Sequence, residues 1–252
     1  MGIKFDPWRL LTSSTAPVQL NKNYSIPFGN KIEKDSFQNN SVERFYDEKN
    51  IKEMISKNPK LKEILSTNNM PVKLNMNELL ELKQGHCRDC AEICGKIYKV
   101  LPPALKSRVN VKDLKDGAML HDFGKVLIPS EILNKKGKLT DDEFKIMHLH
   151  SELGYQLLKN TGLNDEILSL IRNHHDNVAN SNFVPDINLQ ILNIADKYCA
   201  LTEKRVYKEA MTPKQALTII YSEVQKGNVH PFLFNALVKS VKDTEIQTVA
   251  KV

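Results

Sequence analysis

Nothing in this chain of 252 residues approaches the roughly 18 consecutive apolar residues that cross a bilayer, so no helical membrane span is expected. The opening stretch MGIKFDPWRLL has no sustained apolar segment, which argues against a signal peptide. Asp6 stands where a myristoylation signal following Gly2 needs Ser or Thr. Without these signals the expected compartment is the cytoplasm. Cysteine is scarce, with four at positions 87, 90, 94 and 199. Three of them share one segment with helical spacing, which argues against a disulfide framework and fits a reducing compartment. No segment alternates apolar and polar residues long enough to make a strand, and no repeat of fixed period is present. The net charge of +6 is not gathered into a stripe. Lysines interleave with Glu and Asp as on solvated helix faces, which argues against a duplex nucleic-acid partner. A mildly positive field still favours anionic substrates such as phosphate esters.

What is present is a 41% apolar composition arranged at helical spacing, enough for a real core. The expected fold class is all-α. Residues 1–74 read as an N-terminal extension: an irregular lead-in to about residue 42 with a single Trp8, then two short helices between Asp47 and Ser66 separated at Pro59. Residues 75–243 read as one helical domain, and 244–252 as a tail. Within the domain, one helix is expected from Asn75 to Val100, stopped by Pro102-Pro103. Another spans Val111 to Asp122, capped by Asn110. Thr140 with Glu143 forms a capping box that opens a helix to about Lys159. Asn164 caps a helix ending on His174-His175, and Asp186 starts one running to about Thr202. Thr212-Pro213 opens a helix stopped by Gly227, and the last runs from Pro231 to about Val241.

The chemistry gathers around Gly117–Lys125, GAMLHDFGK, where an apolar run leads into His121-Asp122. An imidazole and a carboxylate at the end of a buried segment are costly without a partner, and a divalent metal suits both. An isolated His-Asp pair would be read as a surface ion pair. Here His86, His150, His174, His175 and Asp196 also fall on helices, and helical bundles build metal sites from inward-facing side chains on several helices. His148 lies about 160° around the helix from His150 and, with His230, is expected at the surface or behind the ligands. Cys87, Cys90 and Cys94 form one stripe, read as small thiols facing the core in preference to a zinc or iron–sulfur site.

The order His, His-Asp, His, His-His, Asp resembles the HD superfamily of metal-dependent phosphohydrolases, closest to its HD-GYP branch, whose members hydrolyse cyclic di-GMP. LHDFGKVLIPSEILNKKGKLTDDEFKIMHLHSELGYQLL and NIADKYCALTEKRVYKEAMTPKQAL carry the resemblance, which covers residues 76–240. It implies an HD-domain helical bundle around a di-metal site. His86, His121, Asp122 and Asp196 would hold one ion, and Asp122, His150, His174 and His175 the second, with Asp122 bridging. Two ions would activate a bridging hydroxide and clamp the phosphoryl oxygens. Iron or manganese is expected first, and the ligand set also admits zinc or nickel. Asp122 and Lys125 would be catalytic, while Lys125, Arg205 and Lys208 would face substrate phosphate. The implied partner is a nucleotide or cyclic dinucleotide, alongside a homodimer or a regulatory protein.

The chain departs from the branch where it reads HHDNVANSNFVP in place of HHxxxDGxGYP: Asn182-Phe183-Val184 replaces Gly-Tyr-Pro, and Ala179-Asn180 replaces Asp-Gly. Leu82 stands where three-metal members have Glu, so two ions are expected, and Cys199 stands where an Asp is common. Two readings follow: a phosphodiesterase, or a catalytically degenerate signalling and ligand-binding module. A nucleoside-monophosphate phosphatase is a third, disfavoured by the paired histidines.

Overall fold

In the computed structural model, which describes residues 40–176, 186–203 and 209–249, every regular element among the described residues is helical. Helix starts follow the side chains that can satisfy free backbone N–H groups. Asp47 caps α1 (Glu48–Ser56) and Asn58 caps α2 (Pro59–Thr67), each accepting from a backbone N–H three residues on. Next come α3 (Met76–Leu82), a π turn (Lys83–Cys87) and α4 (Arg88–Val100). Asn110 caps α5 (Val111–Leu120), and a 3-10 turn (Phe123–Leu127) follows. A complete Thr140/Glu143 capping box opens α6 (Asp141–Leu158), and Asn164 caps α7 (Asp165–Asn173). Asp186 caps α8 (Ile187–Thr202), a second capping box at Thr212 opens α9 (Pro213–Gln225), and α10 is Pro231–Val249.

Three elements differ from expectation. The helix expected from Asn75 to Val100 widens at Lys83–Cys87 into a π turn, which re-aims the side chains that follow. The helix expected to reach Asp122 ends at Leu120, and Asp122 takes a bridge conformation (φ −94°, ψ 5°). The last helix continues past Val241 to Val249 because no Gly or Pro follows the end of its apolar stripe.

The buried side chains form two clusters. One joins Ile97 of α4, Leu114 and Ala118 of α5, Leu192 of α8, Leu217 of α9 and Leu237 of α10. The other joins Phe45, Ile51 and Leu61 near the N-terminus with Leu120, Phe123, Leu153 of α6 and Ile171 of α7. Helix α5 feeds both. Two glycines permit the close packing that holds it there. A Cβ at Gly117 would lie 2.5 Å from Leu170 Cδ1, and one at Gly124 would lie 2.0 Å from the His150 carbonyl oxygen. The 3-10 turn after His121-Asp122 therefore lies backbone to backbone against α6.

Candidate metal centre

Five stretches deliver seven side chains to the junction between the two clusters. His86 comes from the π turn and His121-Asp122 from the end of α5. His150 comes from the middle of α6, His174-His175 follow α7, and Asp196 sits in α8. His86, His121, Asp122, His150 and His174 are all buried. The two oxygens of Asp122 divide between two sets of nitrogens. Oδ2 lies 3.7 Å from His86 Nε2 and 3.5 Å from His121 Nε2, while Oδ1 lies 3.4 Å from His150 Nε2. Asp196 Oδ1 joins the first set, 3.0 Å from His86 Nε2 and 3.8 Å from His121 Nε2. His174 and His175 join the second, each with Nε2 3.1 Å from His150 Nε2.

Backbone contacts decide which ring nitrogen faces the centre. His121 Nδ1 is 2.7 Å from the Ala118 carbonyl oxygen, His150 Nδ1 is 2.6 Å from that of Met147, and His174 Nδ1 is 2.9 Å from that of Ile171. A carbonyl can only accept, so each Nδ1 carries the proton and each Nε2 presents a lone pair inward. Two such lone pairs, on His150 and His174, face one another at 3.1 Å, which is repulsive without a cation between them. The spacing is that of cis ligands on one ion, since nitrogens about 2.1 Å from a metal at right angles lie about 3 Å apart. His121 Nε2 is buried with no hydrogen-bond partner. The donor set therefore fits divalent metal: an orphaned nitrogen in one half, opposed lone pairs in the other, and a carboxylate between them.

The electrostatics agree with this division in the half around His150. Burial pushes His150 down to about 3 and His174 well below the usual imidazole range, which favours the neutral ring at both. Burial also lowers His175. Burial opposes charge on His86 too, but hydrogen bonds to Asp196 and Glu203 and the nearby Asp122 outweigh it and raise that ring to about 10. Burial would raise Asp122, yet Lys125, His121, His150 and His86 hold it well below the usual carboxylate range. Lys125 Nζ donates to Asp122 Oδ2 at 2.6 Å. Asp196 is lowered as well, with burial outweighed first of all by the hydrogen bond from His86.

Around the centre are groups that sequence reasoning missed. Glu203 Oε2 lies 3.4 Å from His86 Nδ1, behind the ring and away from the centre. Its position seven residues after Asp196, just past the last residue of α8, was the available signal. Asn193 Nδ2 donates to the His174 carbonyl at 2.8 Å and so supports the corner after α7. The thiol stripe is buried as expected, but not all of it is plain core. Cys90 Sγ approaches His86 Nε2 at 3.7 Å, and Cys87 clusters with His121 and Asp122. His148 is exposed, with its ring between Phe144 (centroids 4.5 Å apart) and His175 (5.1 Å). His230 is exposed too, and its Nδ1 accepts from Phe232 N at the start of α10. Arg205, Lys208 and the Asn182-Phe183-Val184 loop lie outside the described residues, as does Trp8.

Residues 73–231 match the family described as HD domain. A cyclic di-GMP phosphodiesterase response regulator of Xanthomonas campestris pv. campestris is 36% identical over 145 residues, 53% of this chain and 37% of the relative. A 3'3'-cGAMP-specific phosphodiesterase of Vibrio cholerae is 28% identical over 162 residues, 62% of this chain and 37% of the relative. The alignments thus take in well under half the length of these relatives. Among solved structures, the HD domain of an L. monocytogenes phosphodiesterase has a TM-score of 0.48 at 16% identity, covering 81% of this chain and all of that one.

Proposed function

This chain belongs to the HD domain family, and from that premise we propose that it is a metal-dependent phosphodiesterase acting on nucleotides, with cyclic di-GMP and related cyclic dinucleotides as the substrate class. The observation that carries the reading is the division of Asp122: one carboxylate oxygen toward His86 and His121, the other toward His150. In this reading His86, His121, Asp122 and Asp196 hold one divalent ion and Asp122, His150, His174 and His175 the other. Iron or manganese is preferred, with zinc or nickel admitted by the same donors. Such an ion pair supplies water activated near neutral pH and a clamp on the phosphoryl oxygens.

The chain's own groups do the rest. The backbone carbonyls behind His121, His150 and His174 hold each ring with Nε2 inward. Lys125 keeps Asp122 anionic and carries positive charge at the edge of the centre, where substrate phosphate would sit. Arg205 and Lys208, which follow α8 in the sequence, are proposed to meet the phosphate. Asn182-Phe183-Val184 in place of Gly-Tyr-Pro favours a weaker grip on guanine than in relatives with that motif. The same substitution supports the second reading, a binding module without turnover.

The test uses the full chain reconstituted anaerobically with Fe(II) or Mn(II). About two ions per chain are expected, with hydrolysis of both bis(p-nitrophenyl) phosphate and cyclic di-GMP. Asp122→Ala should lose both ions and both activities, and loss of one ion alone would refute bridging. Two bound ions with neither diester cleaved would replace the enzyme with the binding module.

A further inference from the structure

Cys90 sits four residues after His86, at a position occupied by a small core side chain in the sequence-based reading. The structure puts its sulfur elsewhere than in plain core. Ligand atoms of His86, Cys90, His121 and Asp196 all lie within 4.8 Å of one another. Cys90 Sγ is 3.7 Å from His86 Nε2, on the side that also faces Asp196 Oδ1. The same group of four contains His121 Nε2, which is fully buried without a hydrogen-bond partner. A thiol packed only as filler would have no need to share its space with an orphaned nitrogen and a buried carboxylate.

We propose that Cys90 is a ligand of the ion held by His86, His121, Asp122 and Asp196, so that this half of the centre is a nitrogen–oxygen–sulfur site while the His150 half is not. The inference rests on the metal-centre reading above and deepens it. The two halves then differ in softness. A thiolate draws a borderline ion such as zinc, iron(II) or cobalt(II) to the first position and disfavours manganese and magnesium there. The second position, with three imidazoles and a carboxylate, stays the more permissive. On binding, the sulfur–metal bond replaces the S–H bond and the proton passes to buffer. Cys87 is the natural rival, since its sulfur clusters with His121 and Asp122. It lacks the contact with His86 and the grouping with Asp196.

The test is the optical spectrum of the full chain loaded with Co(II), a readout independent of turnover. A thiolate on Co(II) gives an intense near-ultraviolet charge-transfer band that nitrogen and oxygen ligands do not. The band is expected in the unsubstituted protein and in Cys87→Ser. It should vanish in Cys90→Ser and Cys90→Ala, with affinity for the tighter Co(II) falling about ten- to a hundredfold. Co(II) bound at full stoichiometry without the band would overturn the proposal while leaving the metal centre standing, and needs no variant. A band that survives Cys90→Ser and disappears in Cys87→Ser would overturn it in favour of Cys87. No Co(II) uptake at all would overturn both this proposal and the reading beneath it.

Discussion

At the scale of single residues, the centre is organised by what stands behind each histidine. Three rings repeat one device: Nδ1 donates to the carbonyl three residues earlier, so the helix itself selects the tautomer and aims Nε2. The identity of the converging residues was legible in the sequence because their order along the chain is distinctive, and the structure gathers all seven. The partners behind them were not legible, because a carbonyl leaves no trace in residue type, and Glu203 is noticed only when a neighbour is known. His148 and His150 give the sharpest test at this scale. His150 is buried with Nε2 between Asp122, His174 and His175, whereas His148 is exposed and touches His175 only through its ring. His150→Ala should abolish turnover and release metal from its half of the centre, measured by metal analysis after gel filtration. His148→Ala should retain both ions. Metal loss in His148→Ala with retention in His150→Ala would mean that the other face of α6 carries the ligand.

Among the elements, the decisive contact is the crossing of the 3-10 turn Phe123–Leu127 over α6. Capping residues made most helix starts readable, since Asp47, Asn58, Asn110, Thr140, Asn164, Asp186 and Thr212 all accept from the first turn they precede. The π turn at Lys83–Cys87 was not readable, because widening a helix by one residue leaves the apolar spacing nearly unchanged over so short a stretch. The crossing itself rests on Gly124. Its added Cβ would lie 2.0 Å from one backbone atom of α6 and 2.5 Å from another, the Gly154 nitrogen, and neither can rotate away. Gly124→Ala should therefore cost at least the roughly 1–3 kcal/mol typical of overpacking. It should also move Asp122 away from His150 and lower metal content. Gly85→Ala is the control: its Cβ would meet only Glu203 Oε1, at 3.8 Å, inside helical backbone that Ala favours. Thermal melting should show Gly124→Ala several degrees below the unsubstituted protein and Gly85→Ala level with it or above. Equal melting temperatures for the two variants would remove the crossing from its central place.

For the whole molecule, the candidate metal centre lies at the seam between two hydrophobic clusters. His86 leads into α4, whose Cys90, Cys94 and Ile97 belong to one cluster, and Asp196 sits in α8 beside Ile194 and Ala195 of the same one. His150 lies in α6, and His174 stands three residues after Ile171, a member of the other cluster. That other cluster also holds the first described helices: Phe45, Ile51, Ile55, Leu61 and Leu65 pack with Leu120 and Phe123. Tyr46 OH donates to the Met119 carbonyl at 2.6 Å, and its ring meets Phe123 edge-on. The segment before residue 75 thus buttresses the backbone that carries His121-Asp122, a role its own sequence did not reveal because its apolar spacing says helix without saying against what. If ions bind across the seam, they tie the two clusters together and stabilise both. Free metal a hundredfold above Kd adds about 2.7 kcal/mol for each site. For a chain of this size each kcal/mol raises the melting temperature by roughly 2–4 °C. Loading should therefore raise the melting temperature by about 5 °C or more over protein kept in chelator. Hydrogen exchange locates the effect: amides of α1 and α2 at one end and of α9 and α10 at the other should both slow on loading. Protection confined to one end would mean that the two clusters open independently and that the metals brace only the half nearest to them.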